Sequence, residues 1–495
     1  MDTYLGFDIG TSAIKAVAID ADGRVLSRAR VPCGTVSPHE GWFEVEPEKV
    51  WRKGFLSALS DLGAENVRSA RAVCVSSLCA TFVPTDGNLN PVYNAILYGI
   101  DTRASEQVRR LNSTCARPAL SAVAGGAFTS HSVFPKLMWL KETLPDVYGS
   151  SEHFLESVNY ITSWLTGEIA WDLPSAAGGH MIDVNTLRYP SELIAEMGLD
   201  ERKLPPLANP LDVLGTVTAA AASETGLPAG AIVLTGACDI NAEAFACGAV
   251  YPGDLTVVYG STVSTLFVLD SLKTVPGFLT GPSVLPGTFR IGGATSSGGR
   301  YLDWAKRALA LTDAEIEGSE PERPSRIVMI PFLDGARTPV QAPHARVLWY
   351  GMSSASTRAD LWTAARESMG YELFSILERM REAARVPDGL YVMGGLASDA
   401  RFLRIVADIT GKRLTWIPDV DASYGDALMA LARSEGRGEF LAAAKSRKRP
   451  PAAPRGHVVL PDPAKYDVYG PYRRLFCELS RSAVAVSESF LLTES

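Results

Sequence analysis

The sequence predicts a mixed α/β protein made of two related halves, each an open sheet with covered faces. Two observations carry that expectation. Short β-branched runs alternate with helix-period stretches along the chain, as they do where helices pack over sheets. One hairpin design also occurs twice, half a chain apart: an apolar strand, a turn of glycine and hydroxyl residues, and a second apolar strand. In the first copy, Tyr4 to Asp20, the bend holds Asp8, Gly10, Thr11 and Ser12. In the second, Leu255 to Leu269, it holds Gly260, Ser261 and Thr262.

The remaining elements follow the same logic. Ala72 to Ser76, Ala231 to Thr235, Leu255 to Val258, Arg326 to Ile330 and Leu390 to Met393 are apolar runs short enough to be buried strands. Pro47 to Leu62, Arg358 to Ala384 and Ala400 to Thr410 have helical periodicity. In the second of these, Leu361, Ala364, Ala365, Met369, Leu373 and Leu377 recur on one face. The halves divide near residues 245 to 252, around Tyr251-Pro252-Gly253, giving domains 1–248 and 249–495. Lys445 to Gly456 is basic, proline-rich and without an apolar face, and reads as a solvated loop ahead of the last helix.

Composition narrows the function classes. The 495 residues are 46% apolar and 21% charged, the balance of a folded chain with a large core. With 47 Lys and Arg against 55 Asp and Glu, the net charge is −8, which argues against a nucleic-acid partner. No run of about 18 apolar residues exists and the N-terminus lacks a basic-then-apolar leader, so no membrane partner and a cytoplasmic location are expected. The seven cysteines are scattered without a C-x-x-C pair, and the six histidines are dispersed. Reduced, mostly packed thiols are expected, not a zinc site or a redox dithiol.

The P-loop and Rossmann fingerprints are absent. In their place stand four glycine or hydroxyl turns after strands: Asp8 to Ser12 with Lys15 beyond, Gly260 to Thr262, Ile291 through Gly298 and Gly299, and Gly394-Gly395 through Asp399. Glycine lets backbone N–H groups approach phosphate oxygens, and hydroxyls add donors without charge. Each turn alone is only a tight turn; four of them beside a strand-terminal Asp favour a nucleotide. Asp8 would repel phosphate directly, so a carboxylate there makes sense if it holds Mg²⁺, which needs only one or two carboxylates. Asp239, just past the strand ending at Thr235, can be the base of a phosphoryl transfer or the N-cap of the following helix. Asp101 and Arg103 can both bind a polyol, or pair with each other as a surface ion pair.

At these residues the chain resembles the FGGY carbohydrate kinases of the sugar kinase/hsp70/actin superfamily. The resemblance runs the whole length in order. FDIGTSAIKAVAID resembles the family's phosphate hairpin, GWFEVEPEKVW its Gly-Trp-x-Glu-x-x-Pro segment and YGIDTRA its Trp-x-Asp-x-Arg element. KLMWL and WLTGE follow, then TGACDINAEAFACGA, which resembles the segment with the catalytic Asp. VVYGST, PFLDGARTP and the adenosine-side YVMGGLASDARFLRIVADITG complete the series.

The resemblance implies two ribonuclease-H-like (actin/hexokinase-type) domains flanking a cleft, and ATP with Mg²⁺ as cosubstrate and cofactor. It makes Asp239 the general base, with Asp8 near the metal and Asp239 beside it. Gly10, Thr11, Ser12 and Lys15 would line one phosphate site, with Gly260, Ser261, Thr262, Gly298 and Gly299 at the other. Gly394, Gly395 and Asp399 would pack on adenosine. Leu78, Cys79, Asp101 and Arg103 would lie at the sugar pocket. Family members often dimerise, so a homodimer is one expectation.

The layout is closest to xylulokinase-like members, which makes D-xylulose, converted to D-xylulose 5-phosphate, the first acceptor to consider. Departures bear on that choice. Ser77-Leu78-Cys79-Ala80 stands where bacterial xylulokinases usually carry Gln-Met-His-Gly; Tyr98 replaces Trp, Ala336 replaces Glu and Val347 replaces Gly. Another ketose, a polyol or a sugar acid is the alternative acceptor. A non-catalytic sugar sensor and an actin-like ATPase are the competing classes. Retention of Asp8, Lys15, Asp239 and the Gly-Ser-Thr turn argues against the sensor, and the acceptor-side Asp101 and Arg103 argue against the ATPase.

Overall fold

Strand Thr3–Ile9 is buried at every position and its hairpin partner Ala13–Ile19 at all but one, because helices cover both faces of their sheet. The turn between them closes with Gly10 N–H donating to the Ala13 carbonyl at 3.1 Å. Half a chain later, Leu255–Tyr259 and Val263–Leu269 form the second hairpin, closed by Gly260 N–H on the Thr262 carbonyl at 3.0 Å. The computed structural model describes residues 1–317, 324–434 and 456–494.

The repeat extends from the hairpins to the whole sheets. The first sheet has the order Val213–Thr216, Ile232–Leu234, Ala70–Ser77, Thr3–Ile9, Ala13–Ile19, Val25–Pro32, with Ala237–Cys238 added beside Ala70–Ser77. The second has the order His457–Val459, Arg413–Trp416, Gly389–Met393, Leu255–Tyr259, Val263–Leu269, Phe289–Ala294, Leu279–Pro282. In each, the hairpin continues antiparallel on one side. On the other side come two parallel pairings and then an antiparallel strand. This duplicated α/β order is that of the ribonuclease-H-like, actin/hexokinase-type pair expected from the sequence.

The halves exchange a helix. Ala422–Ser434, from the C-terminal half, lies on strands Thr3–Ile9 and Ala70–Ser77 of the first sheet. A β-carbon on Gly6 would fall 2.0 Å from the Ser423 carbonyl oxygen, so only glycine lets this helix down onto the strand. Asp239–Ala246 packs on the same helix where Gly425 comes against Ala242, and its Ala244 clusters with Leu266 and Val268 of the second sheet.

Several element boundaries differ from expectation for identifiable reasons. The helix expected over Pro47 to Leu62 opens with a wide π-helical stretch, Pro47–Arg52, before the α-helix Lys53–Leu62. The long helix Arg358–Met380 starts at a Thr357/Asp360 capping box and stops short of Ala384. Among the described residues Val328–Ile330 pairs only with Leu348–Tyr350, in a separate two-stranded ribbon. Helix Ala400–Thr410 has the expected limits. The Lys445 to Gly456 loop lies, but for Gly456, outside the described residues. Among the described residues no helix is long and apolar enough to cross a membrane, and all seven cysteines are free, three of them buried.

Candidate functional site

Parallel strands Thr3–Ile9 and Ala70–Ser77 run side by side in a register that sets Asp8 opposite Ser76, and Ala237 lies opposite Ser76 on the other side. Asp8 and Asp239 therefore emerge at the carboxyl ends of two strands that flank Ala70–Ser77, where open α/β sheets bind ligands. The chain reaches Asp239 through a sharp bend at Gly236 (φ +90°), where a β-carbon would meet the Val75 carbonyl oxygen at 2.3 Å.

Asp239 is the first residue of helix Asp239–Ala246, and the N-cap is Cys238. The capping alternative is thus overturned: among the described residues the Asp239 carboxylate accepts only its neighbour's N–H, from Ile240 at 2.7 Å. Burial, reinforced by the charge of Asp8, pushes Asp239 up to about 6; the Ile240 N–H, Lys15 and Arg290 oppose the rise. Glu243, one turn further on, is held well above the carboxylate range by burial and by Asp239 and Asp8.

Across the first hairpin, Asp8 and Lys15 are direct partners, and Lys15 Nζ donates to Asp8 Oδ2 at 2.9 Å. Burial raises Asp8, Lys15 pulls it back, and Asp421 adds to the rise. Asp421 belongs to the C-terminal half, so both halves contribute negative charge around one lysine. As a donor set, Asp8 and Asp239 suit an ion that takes its other ligands from water and phosphate. Among the described residues no three His, Cys, Asp or Glu side chains form a metal cage.

The second hairpin builds a different surface. A β-carbon on Gly298 would lie 2.4 Å from the Ser261 carbonyl oxygen, so the chain at Gly298 rests directly on the Gly260–Thr262 turn. The N–H groups of Gly299 and Arg300, which open helix Gly299–Ala308, donate to the carbonyls of Gly260 and Ser261. Gly298 and Gly299 thus brace the turn. Gly394 (φ +94°) approaches the Tyr259 carbonyl, where a β-carbon would sit at 2.4 Å, while no atom lies within 4 Å of the equivalent point on Gly395. Three of the four glycine turns therefore meet at the end of strand Leu255–Tyr259. Asp399 caps helix Ala400–Thr410, its Oδ1 accepting from the N–H groups of Arg401 and Phe402.

On the other side of Asp239, the strand that ends at Ser77 delivers Leu78 and Cys79. Leu78 is buried in the core of the N-terminal half. The Cys79 thiol meets the Cys238 thiol, and that hydrogen bond, with burial, Cys238 and Asp239, holds it well above the usual thiol range. Asp101 and Arg103 pair with each other, but not on the surface. The Arg103 guanidinium is fully buried, bonded to Asp101 and to Glu44 at 2.8 Å each and lying against the rings of Trp42 and Trp139. Asp101 Oδ2 also accepts the Phe43 N–H. All three Arg103 nitrogens donate internally, so this cluster sets the shape of the loop that carries Tyr98. Buried Lys136, lowered to about 7 by desolvation, ties the same loop down through the carbonyls of Leu97 and Tyr98. Tyr98 OH then stands 3.5 Å from Thr11 Oγ1 in the first hairpin turn.

Sequence reasoning missed Glu243, Asp421, Asp426 and Arg290. Only Glu243 had a local signal, four residues after Asp239 on one helix face.

Residues 3–246 match the N-terminal domain of the FGGY family of carbohydrate kinases and residues 255–433 its C-terminal domain. A xylulose kinase from Klebsiella pneumoniae is 26% identical, over 96% of this chain and 98% of that protein. An L-xylulose/3-keto-L-gulonate kinase from Escherichia coli is 26% identical over 94% of each chain. The crystal structure of a xylulose kinase from Rhodospirillum rubrum superposes with a TM-score of 0.88 at 25% identity, covering 98% of this chain and all of that one. The chain belongs to the FGGY family of carbohydrate kinases.

Proposed function

We propose that the chain transfers the γ-phosphate of ATP to a hydroxyl of a small sugar, with Asp239 as general base. The observation that carries this reading is Asp239 itself: a half-buried carboxylate at the strand ends, uncommitted to capping, with its proton affinity raised to about 6. Such a group is still ionised at neutral pH, yet it is a stronger base than a solvated carboxylate.

In the transfer, Asp239 takes the proton of the acceptor hydroxyl as that oxygen attacks the γ-phosphorus. The new P–O bond forms while the bond to the β-phosphate oxygen breaks, and ADP leaves. Lys15, already paired with Asp8, supplies the fixed positive charge on the acceptor side of the transferred group. The turn Gly260–Thr262, braced by Gly298 and Gly299, offers backbone donors from the C-terminal half, with Gly394 and Gly395 beside it for adenosine. Asp8 and Asp239 would hold Mg²⁺, which neutralises phosphate charge when bound. The exchanged helix, gripped at Gly6 and Gly425, couples closure of the halves to exclusion of water that Asp239 could otherwise activate.

D-xylulose, giving D-xylulose 5-phosphate, is the first acceptor to assay, because two of the relatives named above are xylulose kinases. The test is ADP release from Mg-ATP against ketopentoses, pentitols, aldoses, sugar acids and glycerol. A sugar-dependent response that vanishes in Asp239→Ala supports the reading. Hydrolysis indifferent to every sugar, or full turnover in that variant, overturns it.

A further inference from the structure

A buried guanidinium normally has its charge and donors matched, since an uncompensated buried charge is costly. Arg103 meets that rule fully, with two carboxylates and two aromatic faces. Arg473, also buried, bonds the Ile409 carbonyl and lies on Phe374 and Tyr466. Arg290 does not meet it. It is 5% exposed and makes no ion pair among the described residues, and its Nε has no hydrogen-bond partner. Among the described residues its side chain makes one hydrogen bond, from Nη2 to the Pro174 carbonyl at 3.1 Å.

Its position is as informative as its lack of partners. Arg290 sits on strand Phe289–Ala294 of the second sheet, yet its bond reaches helix Leu173–Gly178 of the N-terminal half. The two halves press together there: a β-carbon on Gly281, opposite Arg290 in the sheet, would lie 2.6 Å from Ala177 Cβ. At the far end of that helix, the point a Gly178 β-carbon would occupy is 3.5 Å from Cys79 Sγ and 3.8 Å from Arg290 Nη2. Cys79 in turn meets Cys238, the residue before Asp239. One cluster therefore joins the base, the Cys79 position and a guanidinium delivered by the opposite half.

We propose that Arg290 is an acceptor-recognition residue, donating to an sp² oxygen of the sugar, either the keto carbonyl of a ketose or the carboxylate of a sugar acid. The proposal rests on the kinase reading above and narrows its acceptor class. A guanidinium only donates, and it does so in a plane, which fits an oxygen that only accepts. A hydroxyl in the same place would also have to dispose of its own proton. Asp172, the N-cap of the same helix, is pushed up to about 6 by burial, with the Ser175 hydrogen bonds and the charge of Arg290 pulling it back, so at neutral pH its carboxylate partly offsets the guanidinium without a ligand anion. A neutral carbonyl therefore suffices, and the two sources of the oxygen are separated by experiment.

The test compares D-xylulose, xylitol and D-xylonate, which share a carbon count and differ in the oxygen offered, on wild type, Arg290→Met and Arg290→Lys. The readouts are ADP release and calorimetric binding of each compound and of ATP. Wild type is expected to favour D-xylulose or D-xylonate over xylitol. Arg290→Met should lose about 100-fold of that preference with ATP affinity unchanged, and Arg290→Lys, which keeps the charge and lacks the fork, should recover only part. Intact ATP binding shows that the variants are folded. A preference for xylitol in wild type, or an unchanged preference in a folded Arg290→Met, overturns the proposal. Binding of D-xylulose or D-xylonate that depends on Arg290 without ADP release would keep the recognition site and reject the kinase reading. Turnover that ignores Arg290 would do the reverse.

Discussion

Ser76 donates its hydroxyl to Asp426 over 2.6 Å, tying the central strand of the N-terminal sheet to the helix that the C-terminal half lays across it. The Cys74 thiol points to the other oxygen of the same carboxyl at 3.7 Å. Burial holds Asp426 well above the carboxylate range, with Asp8 and Asp421 adding to the rise against the Ser76 and Cys74 bonds. The group is a hydrogen-bonding link between the halves, and its burial favours the protonated carboxyl.

That state has a stability signature. An acid whose folded pKa lies above its unfolded value binds more protons in the folded state, so it favours folding at low pH and loses ground as pH rises from about 4. Asp426→Asn removes this loss. It should unfold within about 1 kcal/mol of wild type at pH 4 and gain on it toward neutrality. Asp426→Ala, which strands the Ser76 hydroxyl, should cost about 2–3 kcal/mol at every pH. Urea unfolding across the pH series reads both. A gap between Asn and wild type that stays flat with pH would mean that the carboxyl has the same proton affinity folded as unfolded.

The base should be visible in the rate. Asp239 must be ionised to accept a proton, and burial with Asp8 places its titration at about 6. Turnover at low acceptor concentration should thus rise tenfold per pH unit below 6 and level off above it. Asp239→Asn should lower kcat by about 10²–10⁴ while leaving ATP binding in place. An acid limb near 4 would remove the electrostatic account of this carboxylate even if the residue proved essential.

These two acids differ in how far their placement can be read from the sequence. The strand-end position of Asp239 is legible because a strand end followed by an Ala-rich helix is a local pattern, and the hairpin repeat pointed to two related halves, whose common strand order only the structure shows. Asp426 is not legible: its helix reads as helix, but no local periodicity states which sheet a helix will cover. Arg290 in Phe289–Ala294 likewise reads as one polar position in a strand, and only the contact with Pro174 shows it crossing to the other half. Asp101 and Arg103 were found by residue type, whereas their depth depends on Glu44, Trp42 and Trp139, which lie well away in sequence.

Lys15 offers a directional test of the charge cluster. It lowers the proton affinity of both Asp8 and Asp239. Lys15→Met removes that help, so both carboxyls should titrate higher. The acid limb should move above 6 and the variant should recover part of its rate as pH is raised. Lys15→Arg, which keeps the charge, should leave the limb in place. A limb that does not move in Lys15→Met would show that Lys15 is screened from the base.

The second hairpin can be tested without touching a side chain that bonds anything. At Gly298 the nearest atoms to an added β-carbon are backbone: the Ser261 carbonyl oxygen at 2.4 Å and the Thr262 Cα at 2.6 Å. Backbone cannot swing aside as a flexible side chain can, so Gly298→Ala must displace the turn. Overpacking of this kind costs about 1–3 kcal/mol. If the turn faces phosphate, its N–H groups move with it, and the KM for ATP should rise about tenfold or more while acceptor binding holds. Gly395→Ala is the matching control, since no atom lies within 4 Å of its added methyl. Its thermal midpoint should equal that of wild type, so any loss of ATP affinity would come from the nucleotide meeting the new methyl. A Gly298→Ala protein that melts earlier yet binds ATP as before would show the turn to be structural, leaving phosphate recognition to the first hairpin alone.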